Sequence, residues 1–206
     1  MSIRAVIFDI GGVLVHTVNR SRQRRWEQRL GLAEGTLEPT IWQMPVSLAA
    51  NVGQISRVAV WAEVAQRFSL NAVDAAALEE DYFSGGVWND QLIDYARSLR
   101  ARCATGIISN AWPDAREAIK AHVNDTQFDD LIFSAEVGLA KPDRRIFDLA
   151  LDRLRVQPAE AIFIDDVQGN VEAAQAIGMA GIRFVSTEQT IMDIERIFTQ
   201  GQNHVG

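Results

Sequence analysis

The sequence predicts an α/β fold: a doubly wound parallel sheet, interrupted near its start by an inserted helical module. Three observations predict it. Short apolar runs rich in β-branched residues recur along the chain, as strands buried on both faces of a parallel sheet do. Helical patterns with one apolar face separate these runs, which implies βαβ units. Residues 18–88 break the alternation and carry helical periodicity alone.

The first run, AVIF, ends abruptly in Asp9, and after one more residue come Gly11 and Gly12. In the module, GQISRVAVWAEVAQRF puts Ile55, Val58, Ala62, Ala65 and Phe68 on one stripe. AVDAAALEEDYF reads as a further helix, stopped by Gly85 and Gly86. Beyond the module, ATGIIS runs to Ser109 and Asn110. PDAREAIKAHV is expected to be helical from Pro113. DLIFS gives a weaker strand ending at Ser134, and the loop after it carries Lys141. DRRIFDLALDRL places Ile146, Phe147, Ala150 and Leu154 on one helix face. AIFID ends in Asp165, with Asp166 next to it. QGNVEAAQAIG is a helix closed by Gly178, and AGIRFV is the last strand. The α/β core is therefore expected to be discontinuous, residues 1–17 and 89–206, with the helical module at 18–88.

Composition narrows the classes. The 206 residues, 48% of them hydrophobic, suffice for one substantial core plus a small accessory unit. No apolar run is long enough to span a bilayer, and the first residues lack the pattern of a signal peptide. The single cysteine, Cys103, fits a reducing, cytoplasmic setting. A net charge of −7 argues against a nucleic-acid binder. One basic row exists, Arg20, Arg22, Arg24, Arg25 and Arg29, and it reads as a solvated helix face. The module's aromatic residues Trp26, Trp42, Trp61, Tyr82 and Trp88 are expected mostly to pack a core, with one or two left to line a pocket. Of the 20 basic residues only Lys120 and Lys141 are lysines, so a lysine at a strand end is informative.

Ligands of open α/β sheets sit at the carboxyl ends of the strands. There this chain offers Asp9, Ser109 with Asn110, Lys141, and the pair Asp165–Asp166. Each alone is a common turn or cap residue. Together they suit phosphoryl transfer. Three carboxylates make a hard oxygen site appropriate to Mg²⁺. A carboxylate can attack phosphorus to form an acyl phosphate. Ser109, Asn110 and Lys141 can bind the transferring oxygens. Gly11 and Gly12, lacking Cβ atoms, let backbone amides approach a phosphate and a carbonyl reach the metal.

The segments FDIGGVLV, IISNA, GLAKPD and IFIDDVQGNVEAAQAIGM resemble, in that order, the four motifs of the haloacid dehalogenase (HAD) superfamily. The resemblance spans nearly the whole chain. It implies a Rossmann-like core with a helical cap, Asp9 as nucleophile, and Ser109 and Lys141 as phosphate ligands. It also implies a metal held by Asp9, Asp166, the Gly11 carbonyl and, in support, Asp165. The sequence resembles a branch containing the phosphatase domain of soluble epoxide hydrolases and a bacterial α-D-glucose-1-phosphate phosphatase, with GQIS similar to a cap signature there. Family phosphatases normally carry a second Asp two residues after the nucleophile; here that position is Gly11. His16 is the nearest candidate to replace its proton-transfer role.

The activity expected is Mg²⁺-dependent hydrolysis of a small phosphorylated metabolite by a monomer or homodimer, with no nucleic-acid or membrane partner. The alternatives are a metal-free 2-haloacid dehalogenase using the same Asp9 and a non-catalytic protein that binds a phosphorylated ligand. Gly11 is compatible with both.

Overall fold

The computed structural model describes residues 2–202; the outermost residues of the expected core, 1 and 203–206, lie outside them. The first part of the chain contains β1 (Ala5–Phe8), β2 (Val15–Thr17), α1 (Ser21–Leu30), α2 (Leu37–Trp42), α3 (Pro45–Asn51), α4 (Arg57–Arg67), α5 (Ala72–Tyr82) and β3 (Gly86–Trp88). There follow α6 (Asp90–Leu99), β4 (Ala104–Ser109), α7 (Ala115–Ile119), β5 (Asp130–Phe133), α8 (Ser134–Val137), α9 (Arg144–Leu154), β6 (Ala161–Asp165), α10 (Gln168–Ala176), β7 (Ala180–Arg183) and α11 (Thr187–Gln202).

Five strands form one parallel sheet in the order β5-β4-β1-β6-β7. The order reverses at β1, so the crevice at the carboxyl ends of β1, β4 and β6 is where a Rossmann-like sheet receives a ligand. Side chains of β1 alternate faces. Val6 and Phe8 join a core with Leu92, Ala96 and Leu99 of α6 and Ile194 of α11. Ala5 and Ile7 join a second core with Ile146, Phe147, Ala150 and Leu151 of α9. Because helices cover both faces, these strands are apolar throughout instead of alternating.

The helices α1–α5 enclose a third core around Trp26, Leu37, Ile41, Val60, Trp61 and Leu78. They are strung between β2 and β3, which pair antiparallel with Val15 opposite Trp88 and Thr17 opposite Gly86. The strand β3 was not expected within 18–88. Gly85 and Gly86 read as a helix stop. Gly85 does turn the chain, with φ 81°, but Gly86 begins the return strand.

Two helices differ from expectation. The buried stripe of α4 is Val60, Trp61 and Val64, whereas Val58 is 77% exposed. Trp61 sets that facing, since its ring meets Tyr82 edge-on at 5.4 Å. The helix expected from Pro113 is only Ala115–Ile119, because Asp114 before it is held left-handed at φ 72°. The last strand also stops at Arg183, two residues early. The arginine row is not a free basic face. Arg20 pairs with Glu38, Arg24 with Glu34, Arg22 with Asp81, and Arg29 with Asp74. No helix among the described residues is long and apolar enough to cross a membrane.

Candidate active site

Four chain segments bring their polar residues to the carboxyl rim of the sheet. β1 delivers Asp9, whose N–H donates to the Ile164 carbonyl at 2.9 Å and so holds the chain in register with β6 for one residue past the strand. The Oδ1 of Asp9 accepts from the Ile10 N–H at 2.7 Å and from Lys141 Nζ at 2.8 Å. Lys141 is buried, and its three ammonium protons are matched by three acceptors: Asp9, Asp165 Oδ2 at 2.7 Å and the Ile108 carbonyl at 2.8 Å. A compact ammonium fits this triangular set in a way a planar guanidinium does not.

Asp165 lies wholly inside the protein. Its Oδ1 also accepts from the Val167 N–H at 2.8 Å, and Asn170 Nδ2 lies 3.1 Å from both oxygens. The adjacent Asp166 faces the other way, toward a cavity of about 780 Å³ that Asp9, Lys141 and Asn110 also line. One carboxylate oxygen from each of Asp9, Asp165 and Asp166 can be chosen so that all lie within 4.8 Å of one another. Burial raises the Asp9 pKa to about 7; Lys141 opposes that shift and Asp165 adds to it. Asp166 is also raised, first by burial and then by the charge on Asp165. The rim thus concentrates more negative charge than its one lysine neutralises, which is the condition a bound cation relieves.

The two glycines have different reasons. At Gly12, φ is +76° and a Cβ would fall 2.3 Å from Asp166 Oδ2, so only glycine lets the loop and that carboxylate meet. At Gly11 a Cβ would meet nothing within 4 Å. The steric need for glycine at Gly12 comes from Asp166, a partner within the protein. The Gly12 N–H, moreover, donates to the Val15 carbonyl at 2.8 Å.

Ser109 is buried at the end of β4. Asn110 exchanges two hydrogen bonds with the main chain of Lys141, Nδ2 to its carbonyl at 2.9 Å and its N–H to Oδ1 at 2.8 Å. Its amide therefore holds the lysine loop against β4. His16, on β2, lines the cavity and stacks on Phe184 with centroids 5.3 Å apart.

The cavity's far wall belongs to the helical module. Trp42, Tyr82 and Phe83 line it, while Trp26 and Trp61 are buried in that module's core. Sequence reasoning missed Trp112. It follows β4, yet it stacks on Trp42 at 5.1 Å and joins the module's core. It also missed Gln23, Glu27 and Asn170, which line the cavity too. A signal existed only for Asn170, which sits one helical turn past the acid pair.

Comparison with known proteins agrees with this geometry. Residues 3–178 match the haloacid dehalogenase-like hydrolase family. The chain is 27% identical over 226 residues to the bifunctional epoxide hydrolase 2 of Sus scrofa, covering 96% of this chain and 39% of that protein. It thus spans well under half the length of that relative. It is 34% identical over 85 residues to a sesquiterpene phosphatase of Aspergillus oryzae, covering 41% of this chain and 43% of that one. A HAD enzyme of Bacteroides thetaiotaomicron, solved with magnesium and inorganic phosphate, superposes with a TM-score of 0.73 at 20% identity, over 88% of this chain and 94% of that one. With its sheet order, its rim of strand-end acids and lysine, and a family match over most of its length, this chain belongs to the haloacid dehalogenase-like hydrolases.

Proposed function

We propose that the protein is a magnesium-dependent phosphatase acting on a small phosphorylated metabolite through an aspartyl phosphate on Asp9. The observation that carries this reading is the pairing of Asp9 with Lys141 beside Asp166 at the floor of a large cavity. Lys141 and the Ile10 N–H both engage Oδ1, which leaves Oδ2 as the attacking atom. That oxygen forms a bond to phosphorus as the ester oxygen departs with its electron pair. Water then attacks the phosphoryl group, releases phosphate and restores the carboxylate.

Ser109 binds a phosphoryl oxygen in this scheme, Lys141 exchanges one of its three present acceptors for another phosphoryl oxygen, and Asn110 orients the lysine loop. Gly11, with space around it and its N–H not engaged by Val15, is the glycine suited to approach the phosphate. The donor set fits a hard divalent cation: Asp9, Asp166 and the Gly11 carbonyl would hold Mg²⁺, with Asp165 supporting them from behind. Bound there, the ion would supply positive charge between carboxylate and phosphate. The helices of residues 18–88 act as a cap over the site, joined to the core by the β2–β3 ribbon.

A metal-free dehalogenase remains a second reading because Gly11 stands where phosphatases carry an acid. The Asp165–Asp166 pair argues against it, since two acids repel a haloacid's carboxylate. The deciding experiment is a phosphate-release screen over many phosphomonoesters with Mg²⁺, run beside chloride release from 2-chloropropionate in EDTA. Phosphate release that EDTA abolishes supports the proposal. Chloride release in EDTA, or full phosphatase activity there, overturns it.

A further inference from the structure

We propose that Asn51, in the helical module, is a positioning residue for the rim: through the Ser134 hydroxyl it fixes the main chain that follows Asn110, and with it the loop that carries Lys141. The consequence for catalysis rests on the phosphatase reading; the consequence for the loop does not. Asn51 ends α3 and is buried, and Ser134 opens α8 wholly inside the protein. One helix belongs to the module and the other to the core, and the two pack against each other. They meet closely. At Gly53, just past α3, φ is +72° and a Cβ would fall 2.1 Å from the Ala135 carbonyl oxygen, so only glycine fits there.

Ser134 stands where three segments meet. Its Oγ accepts from the Ala111 N–H at 2.9 Å, and its O–H donates to Asn51 Oδ1 at 2.8 Å. A hydroxyl has one proton to give. A second acceptor for it, the Ala111 carbonyl, lies at 3.2 Å. The proton thus has two directions, toward the module or back to the segment after β4, and the shorter distance assigns it to Asn51. On that segment Asn110 exchanges two hydrogen bonds with the main chain of Lys141, and Trp112 is seated in the module's core. The path Asn51–Ser134–Ala111–Asn110–Lys141 is continuous, each link a hydrogen bond or a peptide bond.

Without the Asn51 oxygen, the buried hydroxyl is left with the Ala111 carbonyl as its acceptor, since an unmade buried hydrogen bond is costly. An O–H···O bond settles at about 2.7–2.8 Å. The carbonyl therefore closes on Ser134 by a few tenths of an ångström, and the peptide after Ala111 turns with it. A misplacement of about 1 Å costs about 10²-fold in rate, so a few tenths are expected to cost about 3- to 10-fold. Leucine and aspartate both have nearly the size of asparagine, but only aspartate keeps an oxygen for the Ser134 proton. A residue that served packing alone would tolerate leucine at least as well as aspartate.

The test records the Ala111 and Lys141 amide resonances in ¹H–¹⁵N spectra, and hydrolysis of p-nitrophenyl phosphate with Mg²⁺. The proteins are wild type, Asn51→Leu, Asn51→Asp, Ser134→Ala and the double variant Asn51→Leu/Ser134→Ala, each held below its melting transition. The Lys141 amide is the decisive resonance, because its own partner is Asn110 Oδ1. In Asn51→Leu both resonances are expected to move and kcat to fall about 3- to 10-fold. Asn51→Asp should bring both back toward wild type. Asn51→Leu should add nothing to the loss in Ser134→Ala, because one residue acts through the other. If Ser134→Ala does not fold, the two Asn51 variants carry the test. An unmoved Lys141 resonance in Asn51→Leu, the same changes in Asn51→Asp, or additive losses in the double variant would overturn the proposal. A moved resonance with unchanged kcat would overturn its role in catalysis. If wild type turns over no phosphomonoester, the phosphatase reading fails, and the Lys141 resonance decides the positioning role by itself.

Discussion

At the scale of single residues, the pair Gly11–Gly12 separates a steric requirement from a chemical omission. Gly12 is glycine because a left-handed backbone and the Asp166 carboxylate leave no room for a Cβ. Gly12→Ala is therefore expected to cost about 1–3 kcal/mol of stability and to displace Asp166; an unaltered melting curve and turnover would count against this. Gly11 has space for a side chain. A Cβ there meets nothing within 4 Å, so the glycine at this position is not required by contacts within the protein. General-acid help is worth roughly 10²–10⁴-fold, most for a poor leaving group such as a simple alkoxide. Gly11→Asp is expected to speed hydrolysis of alkyl phosphates selectively over aryl phosphates. Equal effects on both, or a wild type that already hydrolyses both equally in a chemistry-limited step, would mean that another acid is present. His16 is the candidate, and His16→Ala would then slow the alkyl esters selectively.

At the scale of elements, the rim depends on how firmly β4 is held between β1 and β5. One device is the Asp129 carboxylate just ahead of β5. It accepts from the Thr105 N–H at 2.8 Å and from Arg100 Nη2 at 2.8 Å. Burial works against its ionised form, but the Thr105 and Arg100 hydrogen bonds outweigh that and lower the pKa. A group whose folded pKa lies below its unfolded value stabilises the fold above the unfolded value, near 3.9 for Asp. That contribution is lost as pH falls through the folded value. Asp129→Asn should thus be less stable than wild type at neutral pH, with the gap closing in acid below about pH 4. Urea unfolding at several pH values would read this, and a gap independent of pH would contradict it.

Most of these elements were legible in the sequence, for a physical reason. Strands buried on both faces must be apolar throughout, so β1, β4 and β6 stood out, and polar residues at their ends marked the rim. The failures lie where a partner distant in sequence decides. β3 is a strand only because β2 lies beside it. The face of α4 is set by Tyr82 of the next helix. Asp114, held left-handed, delays the start of what composition reads as a helix from Pro113. Gln23 and Glu27 look like any polar residues of an arginine-rich helix until the fold buries them.

At the scale of the whole molecule, Trp112 ties the two parts together. It leaves the sheet directly after the Ser109–Asn110 rim and enters the module's core against Trp42. The position of the helical module is thereby linked to the segment that follows Asn110, whose amide holds the Lys141 main chain. The central claim, however, is covalent: Asp9 takes the phosphoryl group. The most direct measurement is a rapid acid quench of enzyme turning over a phosphomonoester with Mg²⁺, followed by peptide mass spectrometry. The account predicts a transient phosphoryl adduct on Asp9, absent in an Asp9→Asn protein that remains folded and no longer turns over. Asp9→Asn activity within a few-fold of wild type, or an adduct on another residue, would contradict it.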